Sequence, residues 1–246
     1  GLVAGGLEDA AAVFPSPDRP AVDYFQRLDA RVAAMNRAGI IADLVLAGGS
    51  GHLTTLFPTR QLRERYLRYV VARYSAFNVT WQAVADFESY PDGRDLVKEI
   101  GLLLKKLDPY DHPRSTGAQA TSGPVADDGW ANFIVLHSPA SALGLIEHQL
   151  RAMPFVNTGF AAEDSGAGKS GPLDAGADEF RRRLWNATMD GAYPTFANTG
   201  VAGLSGRAAD ARYLDSPAAK QMTIWYNFFQ GTRHWELEPY FDVDGG

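Results

Sequence analysis

Short apolar runs closed by glycine alternate along the chain with segments whose apolar residues recur every three or four positions. That alternation restricts the fold to helices laid against a parallel sheet. From Val22 the positions Phe25, Leu28, Val32 and Met35 carry helical spacing, and Gly39 stands where a helix C-cap belongs. Ile40, Ile41, Leu44, Val45 and Leu46 then read as a buried strand ending in Gly48-Gly49-Ser50-Gly51. The succession repeats with a helix over 60–77, a strand over Val79 to Ala85 and a helix over 94–107. Strands follow at Arg114 to Gln119 and at Phe133 to Leu136, the second leading into a helix near 140–153. Pro154-Phe155-Val156-Asn157 begins another strand, 163–176 is a Gly-rich loop, and 178–190 is a helix. Tyr193 to Ala197 is the last strand and 216–230 the last helix. No repeat, linker or low-complexity tract interrupts the series, so a single α/β domain over 1–246 is expected.

Six strands alternating with helices form either a doubly wound sheet or strands three to eight of a (β/α)8 barrel whose beginning is absent. A doubly wound dinucleotide fold needs Gly-x-Gly-x-x-Gly after its first strand, and Gly48-Gly49-Ser50-Gly51 is not that pattern. This favours the barrel.

The chain has 246 residues, 46% of them hydrophobic and 21% charged, a composition that supports a packed core rather than a disordered or fibrous chain. Its formal net charge of −6 offers no electrostatic footprint for nucleic acid or an anionic membrane surface. The absence of cysteine removes thiolate metal ligands, cysteine nucleophiles and disulfides. No apolar run approaches the ~20 residues of a membrane span. The first residues lack the pattern of a signal peptide and there is no initiator Met, so the chain is expected to be processed or truncated. No His pair has metal-ligand spacing, and neither a metal nor a cofactor is expected. Gly166-Ala167-Gly168-Lys169-Ser170 fails as a phosphate loop because position 163 holds Glu163 where that motif needs glycine; it reads as a mobile loop over a cleft.

Five phrases resemble one known family: Tyr24-Phe25-Gln26-Arg27-Leu28-Asp29, the segment Arg65 to Tyr74, Asn78-Val79-Thr80-Trp81, Asp108-Pro109-Tyr110-Asp111-His112-Pro113 and Arg183-Leu184-Trp185-Asn186-Ala187. They are similar to the apiosidase-like glycoside hydrolases, bacterial (β/α)8 proteins. The resemblance runs from Tyr24 to Trp235 and is most specific in the Ala72-Arg73-Tyr74 and Asn78-Val79-Thr80-Trp81 phrases. It implies an α/β TIM barrel reduced to strands three to eight, with two strands missing ahead of Val22. It also implies a carbohydrate substrate and an extracellular or periplasmic location. The open edges, near Ile41 to Ala47 and Tyr193 to Ala197, are expected to be covered by a second chain or another segment.

In that family the fourth strand carries a tryptophan and, five positions on, an acidic residue; Trp81 and Asp86 match. The seventh strand begins with proline, with glutamates five and nine positions on. Pro154 and Glu163 match, and Gly159 replaces the first glutamate. Barrel enzymes place chemistry at the C-terminal ends of strands, so Asp86 and Glu88 face Glu163 and Asp164 across one expected cleft. Glycoside hydrolysis requires such a carboxylate pair, ~5–5.5 Å apart for retention and ~6.5–9.5 Å for inversion. Asp86 is the acid/base candidate, Glu163 the second carboxylate and Glu88 an auxiliary. His52, His137, Trp130, Asn157, Phe160 and Asp164 are the substrate-binding candidates, offering hydrogen bonds or flat ring faces to a sugar. The expected function is hydrolysis of a glycosidic bond in a polysaccharide or oligosaccharide. The alternative is a non-catalytic barrel that binds carbohydrate or serves assembly, motivated by Gly159 and the missing strands.

Overall fold

The computed structural model describes residues 13–48, 52–163, 172–196 and 214–239, in two compact units, Gly1–Ile134 and Val135–Gly246. The first unit runs α1 (Val22–Arg37), β1 (Ala42–Ala47), α2 (His52–Leu56), α3 (Arg60–Tyr74), β2 (Val79–Val84), α4 (Gly93–Leu107), β3 (Arg114–Ser115) and α5 (Gly123–Ala126). Its sheet has the order β1-β2-β3, with parallel registers that set Ala42 against Val79, Ala47 against Val84 and Trp81 against Arg114.

The helices form where sequence periodicity and caps agree. The Thr59 hydroxyl accepts from Leu62 N (3.3 Å) at the start of α3, whose Tyr66, Leu67, Val70, Val71 and Tyr74 make one buried face. Gly39, at φ +76°, turns the chain out of α1 in a region that a side chain makes costly. The Asn36 amide then donates to Ile40 O and Asn78 O and accepts from Asn78 N, which aligns the starts of β1 and β2. Between helices, Arg73 holds Asp29 with two bonds (2.8 and 2.5 Å) and Arg63 holds Glu99 with two (2.7 and 2.9 Å). Beneath them Phe14, Phe25, Phe57, Tyr66 and Tyr69 pack edge to face or stacked. Trp81 is fully buried and donates its Nε1 to Asp108 Oδ2 (3.1 Å), fastening β2 to the end of α4. Truncating such a residue to alanine costs about 3–5 kcal/mol.

The second unit runs β4 (Ile134–Leu136), which starts at its boundary, then α6 (Ser141–Leu150), β5 (Phe155–Asn157), β6 (Ala162–Glu163), β7 (Asp174–Ala175), α7 (Ala177–Met189), β8 (Tyr193–Pro194) and α8 (Pro217–Gln230). Its main sheet has the order β4-β5-β8, β5 and β8 being parallel with Val156 opposite Tyr193. Phe155, Phe160, Phe180 and Leu184 are buried in it. Ser216 caps α8 by accepting from Ala219 N (3.2 Å).

Several elements depart from the sequence reading. The strand expected over Arg114 to Gln119 stops at Ser115, because the Thr116 hydroxyl takes over the bonding to Val84, accepting from its N–H (3.0 Å) and donating to its carbonyl (2.5 Å). The Gly-rich loop at 163–176 has paired ends: β6 and β7 form a parallel two-residue ladder, Ala162 opposite Asp174. The expectation that this loop is mobile falls on 164–171, which lie outside the described residues, as does Asp164. His52, expected in a loop, opens α2, and α5 forms where the sequence pattern predicts no helix. These helices have 5 and 4 residues, too few for an apolar period to show.

Candidate active site

In the first unit the relevant groups gather after the C-terminal end of β2. Ala85 N donates to Ala47 O (2.8 Å), extending the ladder by one residue. Asp86 then takes the left-handed conformation (φ 49°, ψ 44°) and its carbonyl accepts from Ser89 N (2.9 Å), starting a tight turn over Phe87–Ser89. A non-glycine residue in this region is uncommon, and Asp is among the few side chains that tolerate it. Gly93 closes the turn: a Cβ there would lie 1.8 Å from Phe87 O. Asp86 is exposed, and Phe87, one residue on, is buried as its anchor.

Glu88 is exposed and its Oε1 accepts from Gln119 N (3.1 Å), tying the β2 turn to the loop after β3. His52 is buried at the first position of α2. Next to it the Tyr90 hydroxyl donates to Gly48 O (2.6 Å) and accepts from Leu53 N (3.4 Å), and burial pushes its phenol up. Trp130 is fully buried; a Cβ on Gly101 of α4 would lie 2.1 Å from its ring, so the indole packs face-on against helix backbone. It is part of the core of this unit, with no ring face open to a sugar.

In the second unit the residues after β4 and β5 form one hydrogen-bonded set. Asn157 is buried; its Nδ2 donates to Ser138 O (3.0 Å) and its Oδ1 accepts from Gly159 N (3.0 Å). Thr158 N donates to Leu136 O (2.8 Å) and its hydroxyl donates to the same carbonyl (3.0 Å). The exposed His137 lies with Nδ1 3.3 Å from Thr158 Oγ1. Gly159 meets the same ring, since a Cβ there would lie 2.7 Å from His137 Nδ1; no spacing rule in the sequence links Thr158 or Gly159 to His137, because the residues stand on neighbouring strands. Phe160 is buried, its ring edge-on to Phe180 at 5.2 Å, which again leaves no face for stacking. A cavity of about 40 Å³ lies beside this set, lined by Ser138, Asn157, Phe160, Arg183 and Asn186. Glu163 is buried on β6, and its Oε1 accepts from Ala218 N (3.0 Å) in the first turn of α8. A carboxylate at a helix N-terminus satisfies an otherwise unbonded donor and opposes the helix dipole.

A larger cavity of about 360 Å³, lined by Met153, Pro154, Phe155, Tyr193 and Trp235, opens at the starts of β5 and β8. That is the opposite end of these strands from His137, and chemistry in this fold class is carried at strand C-termini. Among the described residues no group of three or more His, Asp or Glu stands together as a metal site, and no helix is long and apolar enough to cross a membrane.

The family described as "Apiosidase-like, catalytic domain" matches residues 7–236. The chain belongs to that family. Among solved structures it is similar to a glycoside hydrolase family 5 protein from Bacteroides vulgatus ATCC 8482, at 15% identity and a TM-score of 0.69 over 87% of this chain and 54% of that one. It is similar also to a structure described as a glycoside hydrolase, at 15% identity and a TM-score of 0.70 over 87% of this chain and 56% of that one. At that identity the likeness is one of fold, which is α/β with parallel strands and matches these TIM-barrel-like hydrolases. The chain spans about half the length of the solved structures it matches. No curated protein matches it.

Proposed function

We propose that this chain carries the chemistry of a glycoside hydrolase acting on a polysaccharide or oligosaccharide, with Asp86 as the general acid/base. The observation that carries the reading is Asp86 itself: an exposed carboxyl in a left-handed backbone site just beyond the C-terminal end of β2. A costly backbone conformation that holds a polar side chain at a strand end is typical of functional positions. In the reaction Asp86 gives its proton to the leaving glycosidic oxygen as the C–O bond breaks, while a second carboxylate attacks the anomeric carbon or takes the proton of the attacking water. Glu163 is the candidate for that second role, and Glu88 is auxiliary.

Release of reducing ends from a panel of plant and microbial glycans tests the reading. Asp86→Asn is expected to lower the rate by ~10²–10⁴-fold with the melting temperature unchanged. Glu163→Gln is expected to give a comparable loss. Because Glu163 Oε1 also bonds to the first turn of α8, its melting temperature must be measured alongside. Equal rates for wild type and Asp86→Asn would end the assignment. The second reading, a non-catalytic carbohydrate-binding barrel, is favoured by that same Glu163–Ala218 bond, which gives the carboxylate a structural role. Glu163→Gln unfolding at lower temperature with its activity intact would support this structural role, and binding of glycans without hydrolysis by the wild type would decide for the second reading.

A further inference from the structure

The turn that carries Asp86 is bonded on both sides to the loops of neighbouring strands, and neither tie uses the Asp86 carboxyl. On one side stands Tyr90, whose ring is buried. Its hydroxyl joins the two flanks of the connection between β1 and α2, accepting from Leu53 N (3.4 Å) and donating to Gly48 O (2.6 Å). A backbone N–H can only donate, so the phenol hydrogen is left for the carbonyl. On the other side stands Glu88, whose Oε1 accepts from Gln119 N (3.1 Å) in the loop after β3. Between them the turn is closed by Ser89 N to Asp86 O (2.9 Å) and Tyr90 N to Phe87 O (3.0 Å). It therefore spans the C-terminal ends of β1, β2 and β3. Its own bonds are few, as in any single 3₁₀ turn, and the left-handed backbone of Asp86 persists only where the surroundings hold it.

We infer that Tyr90 and Glu88 are positioning residues, which hold the Asp86 turn as a crossbar over three strand ends and so fix where the Asp86 carboxyl meets a substrate oxygen. The catalytic half of the inference rests on the glycoside hydrolase reading; the crossbar does not. Glu88 then acts through its hydrogen bond and not through its charge. Losing one neutral hydrogen bond shifts a local equilibrium only about two- to tenfold, whereas a displacement of about 1 Å at a reacting group costs up to ~10²-fold in rate. Activity is the more sensitive reporter of the two.

The test combines two measurements on the whole chain. Tyr90→Phe keeps the ring and removes both phenol bonds. Amide-resolved hydrogen exchange is expected to quicken about two- to tenfold, at the amides of residues 89 and 90 as well as at Leu53. Glu88→Ala should do the same at 89, 90 and Gln119, and Glu88→Gln, which keeps an accepting oxygen, should restore slow exchange. On a hydrolysed glycan, Tyr90→Phe and Glu88→Ala are expected to lower kcat about 10- to 100-fold with KM within about twofold of wild type. Glu88→Gln should recover most of that loss. In an Asp86→Asn background, Tyr90→Phe should lower the residual rate no further, because the group it positions has no proton to give. Unchanged exchange at residues 89 and 90 in Tyr90→Phe overturns the crossbar whatever becomes of the hydrolase reading. Faster exchange with wild-type kcat overturns the positioning role, as does an equal further loss in the Asp86→Asn background. Glu88→Gln as slow as Glu88→Ala overturns the assignment of Glu88, since its charge is then what the reaction uses. Failure of wild type to hydrolyse any glycan overturns the catalytic half together with the hydrolase reading, and exchange still decides whether the crossbar exists.

Discussion

At the scale of single residues, the backbone of Asp86 decides how its role can be measured. Left-handed φ costs an ordinary L-residue roughly 1–2 kcal/mol, and Asp and Asn less, because a short polar side chain can bond locally. Asp86→Asn therefore keeps the turn and removes only the proton, whereas Asp86→Ala confuses lost chemistry with strain. Thermal unfolding is expected to place Asp86→Asn within about 0.5 kcal/mol of wild type and Asp86→Ala about 1 kcal/mol lower. An alanine variant as stable as wild type would show that the turn imposes no such cost. The place of Asp86 just beyond a strand was legible in the sequence, because the run Val79 to Ala85 closes immediately before it; the role proposed for it is what the family resemblance implies. The seat of His137 was not legible, because Gly159 and His137 meet across neighbouring strands and sequence shows only that a glycine stands there. Trp130 and Phe160 mark the same limit: an aromatic near a strand end reads alike whether its ring faces solvent or core, and here both are buried.

At the scale of elements, the phrases that carry the family resemblance are scaffold. Asp29 in the first phrase is clamped by Arg73 in the second, and Phe25 packs on Tyr69. Asn78 pairs with Asn36, and Trp81 donates to Asp108 of the fourth phrase. Trp185 of the fifth packs edge-on against Phe228. The motifs most recognisable in sequence therefore report helix–helix and helix–strand contacts, while the hydrogen-bonded site residues sit in less patterned segments. Long helices were readable from their period, and β3 and β8 begin where strands were expected; where β3 stops, and the short β6, β7, α2 and α5, were not readable, since such details rest on a few local bonds such as the two between Thr116 and Val84. Gly101 of α4 gives an element-scale test. In an exposed helix, Gly→Ala gains about 1 kcal/mol of propensity. Here the new methyl would meet the Trp130 ring at 2.1 Å, and the ring is enclosed. Overpacking costs about 1–3 kcal/mol, with more when neighbours cannot move. Gly101→Ala is expected to lower the melting temperature by several degrees, at about 2–4 °C per kcal/mol for a chain of this size. A rise would show that the indole has room to shift.

At the scale of the whole molecule, the response to acid follows from carboxylates held by specific donors. Burial works to raise Asp108, but the His112 backbone N–H, the His112 ring and the Tyr110 N–H outweigh it and hold the carboxyl below its usual range. Asp128 is lowered by its bond from Arg94, assisted by Lys98 at 3.2 Å. A carboxyl whose folded pKa lies below its unfolded value, ~3.9 for Asp, contributes stability that is fully present above the unfolded value. That contribution disappears as pH falls through the folded one. The melting temperature is therefore expected to be level from about pH 7 to pH 5 and to fall steeply below about pH 4, where protonation of the carboxylates also builds up net positive charge. Asp108 has the larger share, because it is buried and also accepts from Trp81 Nε1, so its loss reaches the core of the first unit. Asp108→Asn keeps the shape and one acceptor oxygen but sets an N–H₂ against the donors of His112 and Trp81. It is expected to cost about 1–3 kcal/mol at neutral pH. Its acid limb should be shallower than that of wild type, since the group whose protonation the limb records is gone. An Asp108→Asn curve parallel to wild type down to pH 3 would assign the acid transition to other carboxylates, and the Trp81–Asp108–His112 cluster would then be stabilising through its geometry and not through its charge.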